Sequence, residues 1–358
     1  MATRVKHVLM VVHDHAGLGD HGGEAVVLRR RMAENLGGLV DVELALAEDH
    51  ADVTARVTHF LERTRGQVAV IAGGGSGTLR SAIDAVLAQE RKPSRVALSA
   101  LRMGSGNVLA RRYAVPRDGV QAVDELCVSL REGRRAAAKV VRVETFTAEG
   151  AMRVFHAAGL VGLGQLGRVP GDLRLFRSGL KPLHTAAAAS LGLERVNHLE
   201  YALAFAWRAA RVAAFRRAER VRITGPHSLT TMDMVAGVVM TGPIPELPIP
   251  TAISTDEPGL SVHLLPVLER GSLARHLLAP ERLAEGAWHL RLAPRESVEL
   301  ELMDRPRGAL FVDEDMHAWH RRLRICLAAV VPFVPGVRYR GTLMEETHHD
   351  TPRLAVGH

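Results

Sequence analysis

The stretch VAVIAGGGSGT, residues Val68–Thr78, joins an apolar run to a cluster of glycines and small hydroxylated residues. A second stretch of the same kind, VALSALRMGSGN, spans Val96–Asn107. Each pattern predicts a buried strand, a glycine turn and the start of a helix. Because both turns follow strands of one predicted parallel sheet, we expect them at the same carboxyl edge, which is where α/β folds bind ligands.

The glycine turns favour a phosphate ligand. Glycine lets the backbone approach a ligand closely, and the bare N–H groups at the start of a helix attract anions. Ser76 and Thr78 add hydroxyl donors, and Thr78 is also predicted to be the N-cap of the helix that follows. The first motif lacks the Gly-x-Gly-x-x-Gly spacing of dinucleotide folds, so a nucleotide phosphate site is the favoured interpretation. A plain tight turn without a ligand is the alternative.

The patterns on either side of these turns predict two domains. Strand-like and helix-like segments alternate through the first third of the chain, which indicates parallel βαβ units. From residue 136 onward most segments are strand-like, which indicates antiparallel pairing. We therefore expect an α/β nucleotide-binding domain at residues 1–134 and a β-rich, antiparallel sandwich-like substrate domain at residues 135–347. Residues 348–358 are predicted to be a disordered tail.

Composition limits the partners. The chain has 358 residues and a formal net charge of +7, which favours acidic partners such as nucleotide phosphates or anionic lipid. Arginine is spread over the whole sequence and aromatic residues make up only 4%, so we expect no nucleic-acid partner. With no apolar run of membrane-spanning length and no signal-peptide pattern, we expect a cytoplasmic protein. Two cysteines predict neither a disulfide framework nor a metal cage.

The motifs resemble those of the diacylglycerol kinase catalytic-domain family, which includes bacterial lipid kinases, sphingosine kinases and ceramide kinases. Residues 74–78 are similar to its Gly-Gly-Asp-Gly-Thr motif, and residues 104–111 are similar to its Gly-Thr-Gly-Asn-Asp motif with the following Ala-Arg. Weaker likenesses follow at residues 155–159, 256–262 and 312–315.

This resemblance implies ATP-dependent phosphorylation of a lipid hydroxyl, such as that of diacylglycerol, with Mg²⁺. It implies that Asp315 activates the acceptor hydroxyl. A lipid kinase must also reach its substrate, and a basic helix with aromatic residues, Leu199–Arg217, could lie on the inner membrane face. An ordinary packed helix is the alternative, and the oligomeric state is not predicted. The residues implied to bind the nucleotide are Gly74, Gly75, Ser76, Gly77, Thr78, Gly104, Ser105, Gly106 and Asn107.

Several acidic positions of the family motifs are changed in this chain. Ser76, Val108 and Ser261 each stand where the family carries Asp, and residues 13–17 differ from its Asn-Pro-x-Ser-Gly. A catalytically impaired relative that binds nucleotide or lipid and acts through a partner is therefore the second hypothesis. The acidic run Asp313–Asp315 also has a simpler interpretation, as a solvated turn between two strands.

A histidine-rich cluster after the first strand supplies a third hypothesis. His13, His15, Asp20 and His21 resemble in type, though not in spacing, the ligands of metal-dependent hydrolases, and imidazole and carboxylate groups suit Zn²⁺. A polar loop that lines the nucleotide cleft is the alternative. Outside this cluster, the sequence predicts no metal ligand.

Overall fold

The computed structural model describes residues 5–14, 21–89, 93–104, 107–179, 200, 203–204, 206–208, 210–211, 218–243, 257–267, 287–313 and 315–344. The predicted tail, residues 348–358, lies outside this part of the chain.

Strands and helices alternate through the N-terminal part, as predicted. The elements are β1 (Val5–His13), α1 (Gly22–Asn35), β2 (Asp41–Ala47), α2 (His50–Arg63), β3 (Gln67–Gly74), α3 (Ser76–Leu87), β4 (Val96–Arg102), α4 (Val108–Arg112) and α5 (Gly119–Glu132). The strands pair in parallel in the order β2-β1-β3-β4. Helix α1 packs against α5, and α2 packs against α3. This order, with right-handed connections, places the two helix pairs on opposite faces of the sheet.

Helix α2 shows how the sequence specifies these elements. Its N-cap, Asp49, accepts a hydrogen bond from the backbone N–H of Asp52, which satisfies one of the free donors at the helix start. Val53, Val57 and Phe60 recur at helical spacing and are buried against the sheet. Capping and the apolar stripe therefore fix both the start of the helix and the face that it buries.

The C-terminal part is rich in antiparallel strands, which confirms this coarser prediction. The elements are β5 (Ala136–Phe146), β6 (Met152–Ala157), β7 (Leu160–Gly164), α6 (Val169–Gly179), β8 (Glu219–Thr224), β9 (Leu229–Met240), β10 (Leu260–Pro266), β11 (Trp288–Leu292), β12 (Ser297–Leu302), β13 (Arg307–Val312) and β14 (Asp315–Phe333).

The predicted sandwich-like arrangement is not confirmed. Antiparallel pairing runs around the closed ring β14-β12-β8-β9-β7-β13 and returns to β14. The long strand β14 belongs to this ring through residues 315–320, which pair with β13, and residues 322–326, which pair with β12. Its residues 320–333 also pair with β5, which lies outside the ring. Pairing that continues through all these strands differs from the two separate sheets of a sandwich.

Strand β14 also joins the two parts of the chain. Its last residue, Phe333, pairs in parallel with Leu98 of β4, and the hydroxyl of Ser99 donates to the carbonyl of Val334 at 2.9 Å. Phe333 and Ala136 from the start of β5 belong to the first hydrophobic core, between the parallel sheet and its helices. A second core is formed by the ring and its neighbouring strands. The division after residue 134 stays a prediction.

Two further sequence expectations concern the whole chain. Among the described residues, no helix is long and apolar enough to cross a membrane. Cys127 is buried in the first core, where loss of solvation raises the pKa of its thiol to about 11, and Cys326 is half-buried. Both thiols are free.

A buried histidine makes the stability of the C-terminal part depend on pH. His263 on β10 is 4% exposed, its Nε2 lies 2.6 Å from the hydroxyl of Ser261, and its ring meets His289 edge-on. Burial, with a smaller contribution from His289, lowers the pKa of His263 from 6.5 to about 4. The unfolded chain therefore binds a proton at a higher pH than the folded chain does.

Lowering the pH from 7 to 4 should remove up to about 3 kcal/mol of unfolding free energy through His263, because stability is lost as pH falls below the unfolded pKa. Urea denaturation at pH 7 and at pH 4.5 measures this loss. His263→Gln should reduce the difference between the two pH values. The exposed control His227→Gln should keep it. Full retention of the pH dependence in His263→Gln would refute the assignment.

Candidate nucleotide site

The first glycine turn joins β3 to α3 and depends on glycine. Gly74 has φ +155°, and a Cβ at this position would overlap the side chain of Thr78. Gly75 is the N-cap of α3 and has no side chain with which to cap it. The first N–H groups of a helix have no acceptor within the helix, so the start of α3 suits an anion.

One prediction for this turn is wrong. Thr78 is not the N-cap, because α3 begins at Ser76, two residues earlier. Thr78 lies in the first turn of the helix and is buried against Gly74. The side chain of Thr78 therefore leaves room only for glycine at position 74.

The second glycine turn is closed by its own asparagine. Asn107 has left-handed backbone angles, φ +50° and ψ +26°. Its Nδ2 donates to the carbonyl of Gly104 at 2.5 Å, and its Oδ1 accepts from the N–H of Gly104 at 3.3 Å. Both bonds fold the turn back on itself, just before α4. Ser105 and Gly106, which were also predicted as nucleotide ligands, lie outside the described residues.

The two turns touch each other. A Cβ at Gly104 would overlap the backbone of Gly75 and crowd that of Gly74. The backbones can therefore meet only because Gly104 carries no side chain. The contact brings the ends of β3 and β4 into one site, and the predicted nucleotide-binding residues in the described part of the chain lie around it.

Two histidines line the other side of the first turn. A Cβ at Gly77 would overlap the imidazole of His50, at the start of α2. The rings of His50 and His13 lie 5.7 Å apart. His50 was missed by the sequence analysis, although it follows β2 at the same carboxyl edge.

The predicted histidine cluster is only partly described. His15 and Asp20 lie outside the described residues, and Nδ1 of His21 lies 3.2 Å from a carboxylate oxygen of Glu24. Among the residues that the structure describes, no group of three or more histidine, cysteine or acidic side chains is placed to hold a metal ion.

Asp315, the predicted base, forms an ion pair across the two parts of the chain. Its Oδ2 accepts from a guanidinium nitrogen of Arg80 at 2.5 Å. Arg80 is 12% exposed and also donates to the carbonyl of Val312 at 3.3 Å. The other carboxylate oxygen of Asp315 lies 3.7 Å from the guanidinium of Arg174 on α6. The carboxylate thus lies between two cations, and Asp315 begins β14.

Asp313 has a structural part in the same turn. Its carboxylate accepts the backbone N–H groups of Ala158, Gly159 and Leu160 at 2.7–3.0 Å. It is 6% exposed, and burial raises its pKa while these three donors oppose the rise. Since its oxygens are occupied by backbone donors, Asp313 holds the turn before β14 against the start of β7.

A second pair also joins α3 to the C-terminal part. Nδ1 of His156 on β6 lies 2.7 Å from a carboxylate oxygen of Asp84. Arg80 and Asp84 are four residues apart, so they lie on the same face of α3. Next to this pair, the ring of His317 stacks on Phe155 with centroids 4.2 Å apart. Burial and the nearby charge of Arg80 lower the pKa of His317.

The segment with a weak likeness to the family at residues 256–262 is held by a lysine. Lys139 on β5 is 3% exposed, and its ammonium donates to the backbone carbonyl of Glu257 at 2.5 Å. The Glu257 carboxylate pairs with Arg291 at 3.2 Å. Ser261, which stands in place of an acidic residue, bonds to His263 as described above. Asp256 lies outside the described residues.

The predicted basic helix is described only in part. Its described residues between 200 and 211 are helical. Arg208 faces inward and pairs with Asp172 of α6, whereas Leu203 and Trp207 are 55% and 49% exposed. The guanidinium of Arg211 lies 5.9 Å from the centre of the Trp207 ring. The helix therefore packs on α6 through a polar contact and presents an apolar face outward.

Residues 7–143 match the family model of the diacylglycerol kinase catalytic domain. The resemblance predicted from the two glycine motifs is therefore confirmed for this part of the chain. The matched region contains both glycine turns, the two histidines beside them, and Arg80 and Asp84. Among curated proteins, none matches the sequence significantly.

Solved structures extend the likeness in fold to most of the chain. A diacylglycerol kinase from Bacillus anthracis str. Sterne has 13% sequence identity and a TM-score of 0.61, with 94% of this chain and 100% of that chain covered. Two further structures from the same organism, described as candidate diacylglycerol kinases, have 14% and 15% identity and TM-scores of 0.62. In both, 94% of this chain and 99% of the other are covered. At such identities the likeness shows the fold alone.

Gly104→Ala should weaken ATP binding by at least about tenfold, roughly 1.4 kcal/mol, because the added methyl group must separate the two glycine turns. Calorimetric titration with ATP, with and without Mg²⁺, measures the affinity. Gly23→Ala is the matched control, since a Cβ there meets nothing within 4 Å. An unchanged affinity in a folded Gly104→Ala protein would show that the contact between the turns is not part of the binding site.

Proposed function

We propose that this protein is an ATP-dependent phosphotransferase that acts on the hydroxyl group of a lipid such as diacylglycerol. The observation that carries the proposal is the contact of the two glycine turns at the carboxyl edge of the sheet, one helical turn from the Arg80–Asp315 pair. The family-model match over residues 7–143 supports a lipid kinase family.

In this proposal the glycine turns bind the ATP phosphates. The N–H groups at the start of α3 face a compact anion site, and the hydroxyl of Ser76 adds a donor. Gly104 and Asn107 would line the other side of the phosphate site. His50, beside Gly77, would border the nucleotide on the α2 side.

The motif positions beside Arg80 do not fit a Mg²⁺ ion held by protein carboxylates. Ser76 has no charge, the Asp313 carboxylate already accepts three backbone N–H groups, and Asp315 is paired with Arg80. Mg²⁺ is commonly held through substrate phosphates with few protein ligands, so we propose that it arrives as the ATP complex. The roles of the protein side chains do not depend on it.

Arg80 would act on the transferred phosphoryl group, and Asp315 would act on the acceptor hydroxyl. Arg80 lies four residues after Ser76, about 6 Å along the helix, where a guanidinium can stabilise charge on the phosphoryl group during transfer. The acceptor hydroxyl would give its proton to the free lone pairs of the Asp315 carboxylate. Its oxygen bonds to the γ-phosphorus as the bond from that phosphorus to the bridging oxygen breaks, and ADP leaves with the electron pair.

The lipid would approach past α6. Arg174 of α6 lies beside Asp315, and the helix that packs on α6 presents Leu203 and Trp207 outward. An apolar face with nearby arginines suits the surface of an anionic bilayer. We therefore propose a peripheral position at the inner membrane face.

Two observations favour the second candidate, a catalytically impaired relative that binds nucleotide or lipid. The ion pair with Arg80 occupies Asp315, and Ser76 replaces a carboxylate that the resemblance leads one to expect. Both changes weaken the acid–base and metal parts of the site while the glycine turns are kept. ATP binding without turnover is the property that separates this candidate from the kinase.

Asp315→Asn should lower turnover at least about a hundredfold, because general bases contribute 10²–10⁴-fold, and leave ATP affinity within about twofold. ADP release stimulated by diacylglycerol vesicles measures turnover, and calorimetry measures affinity. Asp304→Asn removes an exposed carboxylate elsewhere and should change neither value. Equal turnover in wild type and Asp315→Asn would exclude Asp315 as the base.

Ser76→Asp tests the two candidates directly. For an active kinase whose site is rebuilt around serine, a new carboxylate beside the phosphates should lower turnover at least about tenfold by charge repulsion. For an impaired relative, the same change should raise turnover from near zero. The same ADP-release assay separates the outcomes, and a rise would reject the active-kinase proposal.

A further inference from the structure

A cavity of about 890 Å³ lies at the carboxyl edge of the sheet, away from α3. Its walls come from the start of α1, the end of β4, α4, the loop before α5, the start of α5, and the segment after β14. Because α1 and α5 lie on the opposite face of the sheet from α2 and α3, the cavity is separate from the side of the glycine turns that faces His50. We call it the arginine cavity, after Arg102, Arg111, Arg117 and Arg338.

The charge of the arginine cavity is strongly unbalanced. Four arginines face two acidic residues, Glu24 and Asp118, so the lining carries a net charge of +2. The carboxylate of Asp118 is engaged as the N-cap of α5, where it accepts from the N–H of Gln121 at 2.8 Å. Arg338 is exposed at this cavity and makes no hydrogen bond or ion pair within the described part of the chain. A lining with an excess of cationic groups attracts an anion.

The chemistry of the lining selects the anion. Guanidinium groups bind phosphate oxygens through two parallel hydrogen bonds, which favours phosphate over smaller or singly charged anions. The first residue of α5, Gly119, also lines the cavity, so the positive end of a fourteen-residue helix adds to the attraction. The volume accommodates a pyrophosphate or the phosphomonoester headgroup of a lipid.

Two arginines of the cavity flank the second glycine turn in the sequence. Arg102 lies two residues before Gly104, and Arg111 follows Asn107 by four residues. The backbone N–H of Arg111 donates to the carbonyl of Asn107 at 3.0 Å. A phosphate that held both guanidinium groups would therefore fix the two flanks of the turn whose shape Asn107 maintains.

We propose that the arginine cavity binds a phosphate-bearing ligand, a phosphomonoester or a pyrophosphate, and thereby holds the second glycine turn in the shape that binds ATP. The claim that the cavity binds phosphate does not depend on the proposed function. The claim that this binding affects ATP affinity rests on the proposed function.

The first test titrates the full-length protein with pyrophosphate in EDTA by calorimetry. Arg338→Ser should weaken binding at least about tenfold, since a charge-assisted bond to phosphate is worth about 1.5–3 kcal/mol. Arg295→Ser is the matched control, because Arg295 is exposed and lies in the turn before β12; its affinity should stay within about twofold of wild type. Absence of binding, or equal binding by both variants, would overturn the proposal.

The second test separates the two sources of phosphate. Phosphatidylcholine vesicles with phosphatidic acid present a phosphomonoester, whereas vesicles with the same fraction of phosphatidylglycerol present only a phosphodiester. Retention on the first vesicles that is lost in Arg338→Ser assigns the site to a lipid headgroup. Pyrophosphate binding without such retention assigns it to a soluble phosphate compound. Failure of both probes rejects the site.

The third test addresses the coupling. Saturating pyrophosphate should tighten ATP binding about three- to tenfold in wild type, within the usual range of coupling between sites, and should leave ATP affinity unchanged in Arg338→Ser. Competition between the two ligands would show that the arginine cavity belongs to the ATP site and is no second site. Arg338-dependent pyrophosphate binding by a protein that does not bind ATP would keep the cavity and reject the proposed kinase function.

Discussion

The contact between Gly104 and the backbone of Gly75 is the constraint on which the site depends. Two strand ends can come this close only where neither chain carries a Cβ in the gap, and the parallel order of β3 and β4 supplies the approach. The left-handed Asn107 then returns the chain into α4. Every other feature of the candidate site is arranged around this pair of turns.

Helix α3 carries this constraint into the rest of the molecule. Its first turn lies at the candidate anion site, while Arg80 and Asp84, four residues apart, reach Asp315 and His156 in the antiparallel part. Together with the pairing of β4 and β14, these contacts position the start of β14 beside the glycine turns. The positions of Asp315 and His156 thus depend on the side chains of Arg80 and Asp84 in the N-terminal part.

The sequence was sufficient for features that local chemistry decides. The glycine turns and the alternation of the N-terminal elements follow from residue type and spacing. The prediction that Thr78 is the N-cap of α3 was wrong because glycine is also accepted as an N-cap, and Gly75 takes that place. Contacts between distant residues leave no such signal. Arg80 and Asp315 are 235 positions apart, and Lys139 and Glu257 are 118 apart. The closed ring was not predictable for the same reason, since the strand pattern of a ring and of a sandwich is alike.

The charges in this chain are consistent with a site organised by protein cations. Where the resemblance leads one to expect carboxylates, the chain has Ser76 and Ser261, and the structure places Lys139 on the Glu257 carbonyl and Arg80 on Asp315. Lysine and arginine stay charged throughout the neutral range, so these contacts need no added metal ion to persist. A cation held beside carbonyl and carboxylate oxygens offsets the loss of their hydration on burial. The Arg80–Asp315 ion pair and the Lys139–Glu257 hydrogen bond thus supply positive charge from the protein itself beside the acidic motif residues that the chain retains.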